Sequence, residues 1–245
     1  MVFGWVGNYM VRSGLSPVLI PIREEFGLTY AEAGLIGSAL FYAYVGILFP
    51  AGYIGDQVGR KIVLVMCTFW WAVASVLTGL ANSFPTLFLS RFLTGIGQGS
   101  YFSNDRPIIS AYTPREKVGL GQGVSFIGLG TGMCLGYILS GFISVLLGWR
   151  YVFYLFSIPS FVAGFLILKI IREPKGRGSN MHVNHESKAS LSIIFKQRDL
   201  WMLYIGGIPA IYAVWMAGTW VPAMFEELGV ESLAISSLFA SLLGI

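Results

Sequence analysis

Apolar residues in this chain come in long runs, broken at near-regular intervals by short polar stretches. Runs of this length read as membrane-crossing helices. Seven are predicted, over residues 2–22, 32–53, 62–81, 86–111, 118–147, 151–171 and 200–225. An eighth begins near residue 233 and reaches residue 245. Thirteen helical residues cover about 20 Å, short of the roughly 30 Å hydrocarbon core. The expectation is therefore a chain truncated inside a span. Residues 2–22 carry no basic leader and no small-residue cleavage site, and they hold Arg12 midway, so they read as a retained span and not a signal peptide.

Composition agrees with the pattern. Hydrophobic residues make up 55% of the 245 residues and charged residues 11%, with a mean hydropathy of +0.71. Soluble domains carry about 25% charged residues, so a soluble fold is excluded. A disordered chain would be polar, and a membrane β-barrel would show short alternating segments. The fold class is an all-α polytopic membrane protein. Cys67 and Cys134 both fall inside apolar runs and read as small buried residues.

The charge distribution orients the chain. Arg60, Lys61, Arg115, Lys117 and a set of basic residues in 172–199 fall on one side; Glu24, Glu25, Glu32, Glu226, Glu227 and Glu231 fall on the other, with Arg23 and Arg150 as exceptions. The basic side is cytoplasmic by the positive-inside rule. That predicts a multi-pass protein of the cell (inner) membrane with a cytoplasmic N-terminus. Three units are expected: a six-helix domain over 1–171, a cytoplasmic linker over 172–199, and the start of a second membrane domain over 200–245. His182 and His185 lie in the linker without a third ligand, so no metal site is read there. A loose repeat relates Pro17 and Arg23-Glu24 to Pro107 and Arg115-Glu116. Units of three spans would have inverted topology.

Charges inside spans point to function. Arg12 sits mid-span, with Asn8 and Ser16 four residues away on the same face. Arg91, Gln98 and Asp105 are spaced by seven, so they form one stripe that must face protein or water. Asp105 with Arg106 reads either as a structural ion pair or as an ion site. Gly128, Gly132 and Gly136 form a small-residue face for close helix approach. Gly95, Gly97 and Gly99 lie within an apolar span and make no phosphate loop. No hydrolytic motif appears, and an enzyme is not expected. Of the aromatics in the seventh span (Trp201, Tyr204, Tyr212, Trp215 and Trp220), Trp201 and Trp220 read as interface anchors.

The segment Gly52-Tyr-Ile-Gly-Asp56-Gln57-Val-Gly59-Arg60-Lys61 resembles the cytoplasmic signature of the major facilitator superfamily, with Gln57 where a basic residue is usual. Arg91-Phe-Leu-Thr-Gly95-Ile-Gly97 is similar to the superfamily's fourth-span motif. Asn8-Tyr-Met-Val-Arg12-Ser-Gly-Leu-Ser looks like the first span of its anion:cation symporters, as do Gln98 between glycines, Pro114-Arg-Glu116 and Gly148-Trp-Arg150. Val11 and Gln98 stand where that type carries acids. The resemblance implies a six-helix half of two inverted three-helix repeats, the linker, and one and a half further spans. It implies alternating-access transport of a small organic anion such as a carboxylate, sugar acid or organophosphate. Arg12 with Gln98 and Asn8 would bind the solute, and Asp105 and Arg106 would take H+ or Na+ as coupling ion. Gly52, Asp56, Gly59, Arg60 and Lys61 would gate. The partners implied are the solute, the bilayer and a second half required for transport; no nucleic acid and no cofactor are implied. A drug or cation exporter and a non-transporting assembly protein are the alternatives.

Overall fold

A computed structural model describes residues 1–173 and 197–228. Eight helices are described: α1 (Val2–Ser13), α2 (Leu15–Phe26), α3 (Tyr30–Val58), α4 (Arg60–Gly79), α5 (Phe84–Tyr112), α6 (Val118–Leu147), α7 (Trp149–Ile170) and α8 (Arg198–Glu227). A 3₁₀ turn, Arg115–Lys117, precedes α6. No strand occurs among the described residues. Most of the expected linker, with His182 and His185, and the apolar run 233–245 lie outside them.

Helix α3, the 3₁₀ turn with α6, α4 and α7 are each long and apolar enough to cross a membrane, with mean hydropathies of 1.6 to 2.0. The polar stripe lowers the hydropathy of α5. The first span is interrupted at Gly14 and becomes α1 and α2. Pro17 has no N–H to give Ser13's carbonyl, so the ladder is broken there. Helix α2 runs on to Phe26, four residues past the expected end of the span, and stops at Gly27 in a left-handed turn.

Thr29 and Glu32 form a capping box that starts α3. That helix was expected to end near residue 53 and instead reaches Val58. Nothing in 54–58 breaks a helix, whereas Gly59 does. Its φ of 109° and ψ of 128° lie in a region closed to L side chains. The signature segment is therefore mostly helix, with a one-residue corner.

Packing follows a two-fold pattern. Helix α1 packs on α6 and α7, α5 packs on α3 and α4, and α4 packs on α7. Exchanging the first three spans for the second three maps this set onto itself, as a pair of inverted three-helix repeats requires. Glycines set the close contacts. Gly95 and Gly99 of α5 stand against Leu40 and Tyr44 of α3, while Gly97 between them meets Cys67 and Trp71 of α4. Gly128, Gly132 and Gly136 of α6 meet Val2, Val6 and Met10 of α1. Residue numbers rise together across both interfaces. Parallel alignment is what alternating spans demand of the first with the fifth and the second with the fourth.

Candidate functional site

The stripe on α5 faces α1, and each of its three members finds a partner there. Trp5 Nε1 donates to Asp105 Oδ2 at 2.7 Å, Gln98 Nε2 donates to the Asn8 carbonyl at 3.0 Å, and Arg91 Nη1 donates to the Val11 carbonyl at 3.2 Å. Long polar side chains thus span the gap between the two helices in place of small ones.

Arg12 is the centre of the site. Its Nε donates to Gln98 Oε1 at 3.0 Å. Its guanidinium carbon lies 4.6 Å from the ring centre of Tyr44, 4.9 Å from Tyr9, 5.6 Å from Phe41 and 5.8 Å from Trp215. Four aromatic faces stabilise the cation by their ring quadrupoles. Gln98 fixes its direction. Neither kind of partner neutralises it, so the charge of Arg12 stays available. The residue is 7% exposed, and its Nη2 is buried without an acceptor.

Arg12 lines a cavity of about 490 Å³ between α2, α3 and α8. Ser13, Ser16, Ser38, Phe41, Trp215, Thr219 and Trp220 share its wall, and among the described residues no carboxylate does. Trp220 thus lines the cavity, with the Tyr30 ring centre 6.3 Å from its own. Trp201 is exposed. The side chain of Tyr204 lies outside the described residues. Ser16 Oγ donates to the Thr219 carbonyl at 2.8 Å, tying α2 to α8.

Gln98 and Asn8 stand beside Arg12. The Gln98 amide donates one N–H to the Asn8 carbonyl and accepts from Arg12 at its oxygen. Gln98 and Asn8 are wholly buried, and neither reaches the cavity wall. Gln98 links the Asn8 carbonyl to Arg12, and the side-chain amide of Asn8 is buried without a partner.

Asp105 and Arg106 form a closed unit away from the cavity. The Arg106 guanidinium grips Asp105 with two bonds, Nε to Oδ1 at 3.1 Å and Nη2 to Oδ2 at 3.0 Å. It also donates to Gln122 Oε1 at 2.6 Å and stacks 4.3 Å from the Phe126 ring. With the Trp5 bond to Asp105, the unit joins α1, α5 and α6.

At the same end of α5, Asp56 and Arg60 form an ion pair. Arg60 Nη1 also donates to the Ser103 carbonyl at 3.2 Å. That carbonyl is free because Pro107, four residues later, has no N–H. Gly55 packs against Asn104, and Gly52 lies near Ser103. Sequence reasoning missed Glu173, whose carboxylate accepts from the backbone N–H groups of Arg60 at 3.0 Å and Lys61 at 2.9 Å. It caps α4 from the end of α7, where a negative charge favours the helix dipole. The signal was present: α4 follows a glycine with no Ser, Thr or Asp to cap it.

On the opposite rim, Glu25 accepts from Trp149 Nε1 at 2.6 Å and from Arg150 Nη1 and Nη2 at 2.9 and 2.6 Å. Arg150 Nη2 also reaches the Ala81 carbonyl at 3.2 Å. Hydrogen bonding from Arg150, then from Trp149, holds the Glu25 carboxyl below its ordinary range.

The comparisons agree with this architecture. Over 96% of its length the chain is 28% identical to 57% of the probable sulfoacetate transporter SauU of Cupriavidus necator. Over 92% it is 24% identical to 58% of the D-galactonate transporter of Escherichia coli O6:H1. A bacterial homolog of the human lysosomal transporter Spinster, solved inward-facing and unoccupied, superposes with a TM-score of 0.83 at 21% identity, covering 99% of this chain and 58% of that one. The chain thus spans a little over half the length of each of these relatives. The family profile of the Major Facilitator Superfamily matches residues 1–245 throughout, and the chain belongs to that superfamily.

Proposed function

We propose that this chain forms the anion-binding wall of a secondary transporter for small organic anions. The observation that carries the reading is Arg12. It is a buried cation at a cavity wall, held by a neutral amide and aromatic rings, with no carboxylate lining that cavity among the described residues. A cation in such a site favours a negative solute, and its planar fork suits a carboxylate, sulfonate or phosphate. Relatives named for sulfoacetate and D-galactonate support the same class. A cation exporter is disfavoured, since a cationic drug would meet a like charge.

The orientation is part of the proposal. The rim of Arg60, Lys61, Arg115 and Lys117 is cytoplasmic, and the rim of Glu24, Glu25 and Glu32 faces outward. Residues 1–171 act as one bundle and α8 opens the next. Transport needs the six-helix bundle to rock against an opposing one, while the Asp56–Arg60 corner latches the cytoplasmic side.

Binding calorimetry on detergent-purified protein tests the reading. D-galactonate or sulfoacetate should bind saturably and compete with each other, and organic cations should not compete. Arg12→Gln should abolish binding, a loss of about 2–5 kcal/mol for a desolvated charge pair. Arg12→Lys should retain weak binding, because it keeps the charge and loses the fork. Unchanged affinity in folded Arg12→Gln would remove Arg12 from the site.

A further inference from the structure

We infer that Arg91 supplies a second positive charge to the same cavity, and that the solute it accepts is a dianion with one acidic group at Arg12 and the other toward Arg91. This rests on the organic-anion reading above and narrows its substrate class.

Arg91 lines the cavity with Arg12 and is 1% exposed. Its Nη1 donates to the Val11 carbonyl, while its Nε is buried with no acceptor. Arg12 Nη2 is in the same condition. The ion pairs among the described residues are Arg60–Asp56, Arg106–Asp105 and Arg150–Glu25, and none involves Arg12 or Arg91. Two buried guanidinium groups therefore share one cavity with neutral partners alone. A buried cation without a counter-charge is costly, and two neighbouring ones repel each other as well. A monoanion cancels only one of them.

Two cations at one cavity wall favour two acidic groups over a single one. The two guanidinium groups are held by different partners, Arg12 by the Gln98 amide and Arg91 by the Val11 carbonyl, and each keeps a buried N–H group without an acceptor. That arrangement suits a short carbon chain with an acidic group at each end, whether carboxylate, sulfonate or phosphate. The competing role for Arg91 is purely structural: a donor that ties α5 to the Val11 carbonyl.

Calorimetry with glutarate and valerate, acids of equal chain length and different charge, separates the two. The purified 245-residue chain should bind glutarate at least tenfold tighter than valerate. Arg91→Gln removes the charge, so it should erase that preference and leave valerate affinity unchanged. Arg91→Lys should keep part of the preference, which preserves the test if the glutamine variant does not fold. Equal affinity for the two acids in the unmodified chain would overturn the inference, as would a preference that survives Arg91→Gln. If neither acid binds, nor D-galactonate nor sulfoacetate, the organic-anion reading falls and takes this one with it.

Discussion

Residues that look alike in the sequence differ by what their partners cancel. Arg12, Arg91, Arg106 and Arg150 are all arginines within or at the ends of helices. Arg106 and Arg150 are neutralised by Asp105 and Glu25, and they brace helices. Arg12 meets an amide and ring faces, and keeps its charge. The sequence made Arg12 legible because a mid-span charge with no acid in its own helix stands out. It could not reveal that Gln98 bonds Arg12, because that depends on the distance between α1 and α5. Nor did it pair Glu25 with Arg150, which are separated by some 120 residues of chain. That rim pair carries a pH prediction. Its folded carboxyl lies below the ordinary range, so its stabilising contribution is complete above the unfolded value of about 4.3. The contribution is lost as pH falls through the depressed folded value. Glu25→Gln should lower the unfolding temperature in detergent at pH 7, and the gap from the unmodified chain should close as the buffer is taken below pH 4. A gap that stays constant with pH would show that the carboxylate charge is not what holds the rim.

Helices were legible wherever apolar runs were continuous, and their boundaries were not. The expected span 32–53 became Tyr30–Val58 because a capping box extends one end and only Gly59 can turn the other. The first span was read as unbroken, although Pro17 was in plain view; its missing N–H matters only once the residues before it are helical. Small residues were a better guide. With no hydrophobic drive between helices in lipid, close approach decides association, and the Gly128–Gly132–Gly136 face lies against α1 as its spacing suggests. A paired substitution checks this. At Gly132 a methyl group would press on the backbone of Val6, so Gly132→Ala should destabilise by about 1–3 kcal/mol, the range for overpacking. Gly123 lies on the same helix with nothing within 4 Å of its would-be Cβ. Gly123→Ala should be neutral or stabilising by up to about 1 kcal/mol from helix propensity. Thermal unfolding of both variants gives the comparison, and equal destabilisation would mean that the interface with α1 is not what holds α6.

At the scale of the whole molecule, the two rims are built differently. One rim joins α3, α4, α5 and α7 through Asp56, Arg60, the Ser103 carbonyl and Glu173. The opposite rim joins α2, α4 and α7 through Glu25, Trp149, Arg150 and the Ala81 carbonyl. The Asp56–Arg60 contact is exposed, with Asp56 at 61%, and an exposed pair contributes about 0–1 kcal/mol. Most of that rim's hold must therefore come from backbone groups: the freed Ser103 carbonyl and the two N–H groups capped by Glu173. Such contacts suit a latch that has to open. The proposed cytoplasmic side rests on charge alone: basic residues dominate the first rim and acidic ones the second. Asn82 lies in the exposed corner between α4 and α5 on the acidic side, and Glu116 in the exposed 3₁₀ turn on the basic side. A membrane-impermeant thiol reagent applied to intact cells should label Asn82→Cys and spare Glu116→Cys until the membrane is opened. Cys67 is buried and Cys134 half-buried in helices α4 and α6, so the background should be low. The reverse labelling pattern would invert the protein in the membrane. Arg12 would keep its cavity, but the proposed Asp56–Arg60 latch would close the external side instead of the cytoplasmic one.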